Sequence, residues 1–194
     1  MRTDTILRKK RSKNTSFFKG RENKGMEGLK PTNLSRNQIY ELAEKFAEVT
    51  SYTPGETDII DYVEKQLHGK IEYTDTPKDS AGGSISVTSR DNFTIFLSKA
   101  TSPKRDVFTI AHELGHYFLH SRLGEVKIKA NRSEDIDEAE REANTFAAAF
   151  LMPAEKVEKL YKEKEGNISA LAEAFNVSLS AMNWRCINLQ LKQA

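Results

Sequence analysis

Cysteine is nearly absent from this chain: Cys186 stands alone among 194 residues. A single thiol excludes an intrachain disulfide framework and any metal site built from several thiolates, and it points to a reducing compartment. A metal bound here would need imidazoles and carboxylates. Histidine is also scarce, with four in the chain. Long apolar runs are missing. No window approaches the ~18 apolar residues of a membrane-spanning helix, and near the N-terminal charges the longest strongly apolar stretch is the pair Phe17-Phe18, where a secretory signal needs about seven. The expectation is a cytoplasmic protein with no membrane association.

The net charge of +2 conceals an uneven distribution. Residues 1–33 carry ten Lys/Arg and three acids, giving +7, and the remainder carries 20 basic and 25 acidic residues, giving −5. The leader has too little periodic apolar surface to offset chain entropy, so residues 1–33 are expected to be a basic disordered tail. Within it, the run Arg8-Lys9-Lys10-Arg11-Ser12-Lys13 suits contact with nucleic-acid phosphates. No aromatic is interleaved to stack on bases, so residues 8–13 are a weak nucleic-acid candidate.

Residues 34–194 read as one folded domain with trailing C-terminal helices. Ser35-Arg36-Asn37-Gln38 has the form of a capping box, and Ile39, Leu42, Ala43, Phe46 and Val49 follow at helical spacing. A second helix is expected over about 57–67. Short strands are expected at 70–74, 84–88 and 93–97, separated by turn-prone segments. Ser102-Pro103 opens another helix, with Val107, Ile110, Ala111, Leu114 and Phe118 on its buried face. A further helix over about 133–151 ends at Met152-Pro153, and two or three short helices follow. The predicted class is α+β, mainly helical, with a small antiparallel three-stranded sheet.

The helix after Pro103 contains Ala111-His112-Glu113-Leu114-Gly115-His116-Tyr117-Phe118-Leu119-His120. His112 and His116 are four residues apart, so one helical turn stacks both imidazoles on one face, where they can take two corners of a tetrahedral zinc site. Glu113 is offset by about 100° and can reach a metal-bound water without being a ligand, the role of a general base. Gly115 suits close backbone approach by a neighbouring element. Tyr117 and His120 are candidates for the pocket wall or for stabilising the transition state.

A third ligand is required. A third His six residues after His116, as in the metzincins, is excluded because that position is Arg122. The acidic stretch 135–142 supplies carboxylates instead. Ala139, Ala143, Phe146, Ala147 and Phe150 mark a core-facing stripe; Glu142 borders it, while Glu140 and Arg141 are assigned to the outer face. Glu138, one turn before Glu142, is a candidate acceptor for a ligand His. Asp135, Asp137 and Glu140 read as solvated acidic positions.

These two blocks, 112–120 and Glu142-Ala143-Asn144-Thr145-Phe146-Ala147-Ala148-Ala149-Phe150-Leu151-Met152-Pro153, resemble the ImmA/IrrE family of zinc metallopeptidases over roughly residues 35–190. The resemblance implies a mainly helical zincin-like fold and a gluzincin-like zinc site with His112, His116 and Glu142 as ligands and Glu113 as base. It also implies cytoplasmic regulatory proteolysis, with a helix-turn-helix transcriptional repressor as the expected protein substrate. The ending Phe150-Leu151-Met152-Pro153, where the family has Leu-Leu-Met-Pro, is an apolar exchange.

The competing expectation is a non-catalytic metal-binding regulator that acts through protein or DNA binding, since 168–185 has helix-turn-helix-like periodicity. That segment carries one Arg and no basic stripe, which argues against reading DNA.

Overall fold

A computed structural model describes residues 29–75, 83–131 and 138–193. The basic run 8–13, Asp135 and Asp137 lie outside the described residues. Helix α1, Arg36–Val49, starts where the sequence marks it: the Ser35 hydroxyl accepts from the Gln38 amide, and the Ser35 amide donates to the Gln38 side chain at 2.9 Å. Helix α2, Ile59–Asp61, is capped by Asp58 and runs into a wider π-helical turn, Tyr62–Gln66.

The strands are β1 (Lys70–Thr74), β2 (Gly83–Ser89), β3 (Asn92–Ser98) and β4 (Ile128–Asn131), in the sheet order β1-β3-β2-β4. β2 pairs antiparallel with both β3 and β4, and β1 pairs parallel with β3. The expected antiparallel three-stranded sheet is therefore corrected to a mixed four-stranded one. Alternation identifies a strand but carries no information about which edge it joins or in which direction, and four residues of β4 are too few to show a period. Ile85, Val87, Phe93, Ile95 and Leu97 turn inward and are fully or almost fully buried.

Helix α3, Pro103–Gly115, packs on β2 and β3 and continues as a π-helical turn, His116–His120. Ser102 occupies its N-cap position in extended conformation, with no side-chain cap bond. Helix α4, Glu138–Leu151, lies between α3 and α1. Three shorter helices complete the chain: α5 (Ala154–Glu163), α6 (Ile168–Ala174) and α7 (Leu179–Asn188). The core between α1 and α4 is aromatic. Phe46 approaches the rings of Phe118 at 4.5 Å and Phe150 at 6.1 Å, and Tyr52 stacks on Phe150 at 4.3 Å. The architecture is α+β and mainly helical. Among the described residues no helix is long and apolar enough to cross a membrane.

Candidate metal centre

The α3–α4 helix pair brings three donor groups together inside the protein. His112 and His116 are 4% and 1% exposed, and their Nε2 atoms stand 3.1 Å apart. Glu140, reaching over from α4, puts one carboxylate oxygen 3.2 Å from His112 Nε2 and the other 3.2 Å from His116 Nε2. One ligand atom from each residue can be chosen so that all three lie within 4.8 Å of one another. Two imidazole nitrogens and a carboxylate oxygen converging in this way fit a metal held by three protein ligands. The helices approach closely because residue 115 is glycine: a Cβ there would lie 3.0 Å from Ala143 Cα.

Protonation suits that reading. His112 Nδ1 lies 3.0 Å from Asn144 Oδ1, an acceptor, which places the proton on Nδ1 and leaves the Nε2 lone pair facing the cluster. Burial pushes the His116 imidazole down to about 4 despite the opposing pull of Glu140, so it is neutral at pH 7. Glu113 is also buried beside the cluster, and β2 passes close to it at Gly83, where a Cβ would come within 3.1 Å of a Glu113 carboxylate oxygen.

The sequence candidates fall in the following places. Glu140 is 4% exposed and faces both imidazoles, so it is not an outer-face residue. Glu142, expected as the third ligand, instead accepts from His120 Nε2 at 3.0 Å and from Thr32 and Asn33. Burial works to raise its carboxyl, while His120 and Thr32 lower it below the ordinary value. Glu138 is exposed and pairs with Arg141 at 3.2 Å. Tyr117 does not line the site: its hydroxyl donates to the Arg90 carbonyl at 2.7 Å and its ring stacks on Phe93 at 4.3 Å. His120 sits behind His116, with the two Nδ1 atoms 3.0 Å apart.

The sequence reading missed Asn144 and Thr32. Asn144 is one turn after Glu140, so helical spacing alone puts it near Glu140's face. Nothing in the sequence links Thr32 to a carboxylate 110 residues away.

The model of the IrrE N-terminal-like domain matches residues 70–186. The chain belongs to that family. In this IrrE-like domain the matched span runs from β1 into α7 and includes every residue of the cluster, but not Thr32. Immunity region protein 2 of Bacillus phage phi105, an uncharacterized protein, is 27% identical over 142 residues, covering 73% of this chain and 82% of its own length. Metallopeptidase ImmA of Bacillus subtilis strain 168 is 38% identical over 72 residues, covering 36% of this chain and 42% of its own length. A Mycobacterium tuberculosis transcriptional regulator of known structure shares the fold, with a TM-score of 0.56 at 16% identity over 80% of this chain and 48% of that longer one.

Proposed function

We propose that this IrrE-like domain is a zinc-dependent endopeptidase, with His112, His116 and Glu140 as ligands and Glu113 as general base. The observation that carries this reading is the convergence of both His Nε2 atoms and the Glu140 carboxylate, with Glu113 adjacent on the same helix. His112, His116 and Glu140 would hold the zinc, which would supply Lewis-acid activation of the attacking water and of the scissile carbonyl. Glu113 takes the proton from the attacking water and delivers it to the departing amine nitrogen. Its burial near Gly83 keeps that proton transfer out of bulk solvent. Ligation requires neutral imidazoles with their lone pairs on Nε2 and an ionised Glu140 carboxylate.

A cytoplasmic helix-turn-helix repressor is the proposed substrate, supported by the likeness to a phage immunity region protein and to metallopeptidase ImmA. DNA reading by α7 is disfavoured, because Arg185, the lone Arg of 168–185, is fully buried. The test is co-incubation of the purified chain with a helix-turn-helix protein encoded beside it, followed by mass measurement of the products. The expected result is cleavage that chelation abolishes, zinc restores and Glu113→Gln eliminates while leaving zinc bound. Full cleavage by that variant refutes the assignment of the base.

A further inference from the structure

Behind His116, on the side away from Glu140, a chain of hydrogen bonds runs out to the segment that precedes α1. Thr32 donates its amide to both Glu142 oxygens, at 3.0 and 2.8 Å, and its hydroxyl to one of them at 2.8 Å. The Asn33 amide adds a bond at 3.0 Å. Asn33 has a φ of 59°, the left-handed conformation that lets consecutive amides face one anion. Glu142 is thus ringed by donors. His120 Nε2, at 3.0 Å, completes the ring, and His120 Nδ1 lies 3.0 Å from His116 Nδ1.

With both rings neutral, this pattern gives a consistent assignment of protons. Glu142 accepts from His120 Nε2–H, so a neutral His120 has its lone pair on Nδ1. That lone pair accepts from His116 Nδ1–H, which leaves His116 Nε2 unprotonated and facing Glu140. Both rings belong to the π-helical turn that starts at His116 and ends at His120, where the Ser121 amide bonds back to the His116 carbonyl at 2.9 Å.

We infer that Thr32, Glu142 and His120 are positioning residues that fix the tautomer and orientation of His116 for metal binding, so that the segment before α1 is a working part of the metal centre. The inference rests on the metal-site reading above and extends it to residues outside the matched 70–186. Thr32 and Asn33 also fall within the stretch that composition assigns to a disordered tail, whereas the structure engages them with α4.

The experiment is zinc titration of the full chain against a chromophoric chelator, with circular dichroism and thermal melting of each metal-free variant alongside. His120→Leu removes both ring bonds and is expected to weaken zinc binding about 10–100-fold. His120→Asn keeps an acceptor for His116 Nδ1–H and is expected to recover most of that loss, a rescue that a merely structural role for the ring would not give. Glu142→Gln, nearly isosteric, is expected to weaken zinc binding by about tenfold or more and to speed hydrogen exchange at the Thr32 and Asn33 amides. It is the deciding variant if His120→Leu fails to fold. Undiminished affinity in Glu142→Gln, or equal losses in the folded Leu and Asn variants, overturns the positioning chain. Absence of zinc binding by the unaltered chain refutes the metal site itself, and the positioning chain with it; intact wild-type binding with undiminished variant binding refutes the chain alone.

Discussion

Glu140 and Glu142 are two residues apart on α4 and serve different imidazoles: the first faces His112 and His116, the second His120. Their glutamine variants should therefore separate. Glu140→Gln is expected to cost zinc affinity more than the ~10–100-fold of an outer hydrogen-bond partner, and Glu138→Gln to leave it unchanged, as the same titration measures. Equal losses at 140 and 138 would remove Glu140 from the ligand set. A pH dependence follows from His116, whose imidazole is depressed to about 4 from an ordinary 6.5. Unfolding lets it take a proton below pH 6.5, so its contribution to stability is fully present above that pH and is lost as pH falls toward 4, at up to ~1.4 kcal/mol per pH unit. The depressed carboxyl of Glu142 adds its loss only below the ordinary carboxylate value of 4.5. The melting temperature of the metal-free protein should accordingly drop between pH 6.5 and 5, and less steeply in His116→Asn. A flat profile in the unaltered protein would contradict the buried neutral imidazole.

Helix α3 can place His116 against Glu140 only while it lies close to α4. Gly115→Ala would set a methyl 3.0 Å from Ala143 Cα and 3.1 Å from the Ala143 carbonyl oxygen. The expected outcome is a destabilisation of about 1–3 kcal/mol, together with weaker zinc retention, read by chemical denaturation and chelator competition; a variant unaltered in both would show that the helices have room to spare. The α3 half of the site is legible in sequence because it is local: four-residue spacing puts His112 and His116 on one face whatever surrounds the helix. The α4 half is less so, since assigning one buried stripe presumes one packed face, and α4 is packed by α3 on one side and α1 on another. Its buried positions include Glu140, Glu142, Ala143, Phe146, Ala147, Ala148 and Ala149. Even so, Glu140 lies seven residues before Ala147, about 20° from it around the helix, and the alanines on that side mark where the histidine-bearing helix comes nearest. The capping box at Ser35 was readable for the same local reason, whereas the parallel pairing of β1 with β3 depends on a crossover that alternation does not encode.

Across the molecule, the C-terminal helices are tied to the helix that carries the glutamates. Arg185 of α7 is fully buried, donates Nε–H to the Met152 carbonyl at 2.9 Å just beyond α4, and lies 4.7 Å from the Tyr40 ring centroid in α1. Arg185→Ala would empty that space and is expected to destabilise the fold by ~2–3 kcal/mol. Arg185→Met, which fills the space without a buried charge, is expected to cost less. Thermal melting ranks the two, and the reverse order would show that the guanidinium itself holds the junction. The contact between Thr32 and Glu142 also bears on how the chain matures. A ribosome adding about 5–20 residues per second takes on the order of ten seconds to make the 110 residues that separate them. Until Glu142 is made the segment before α1 has no carboxylate to dock on, so the surroundings of His116 are completed late in synthesis, after α4 has been made.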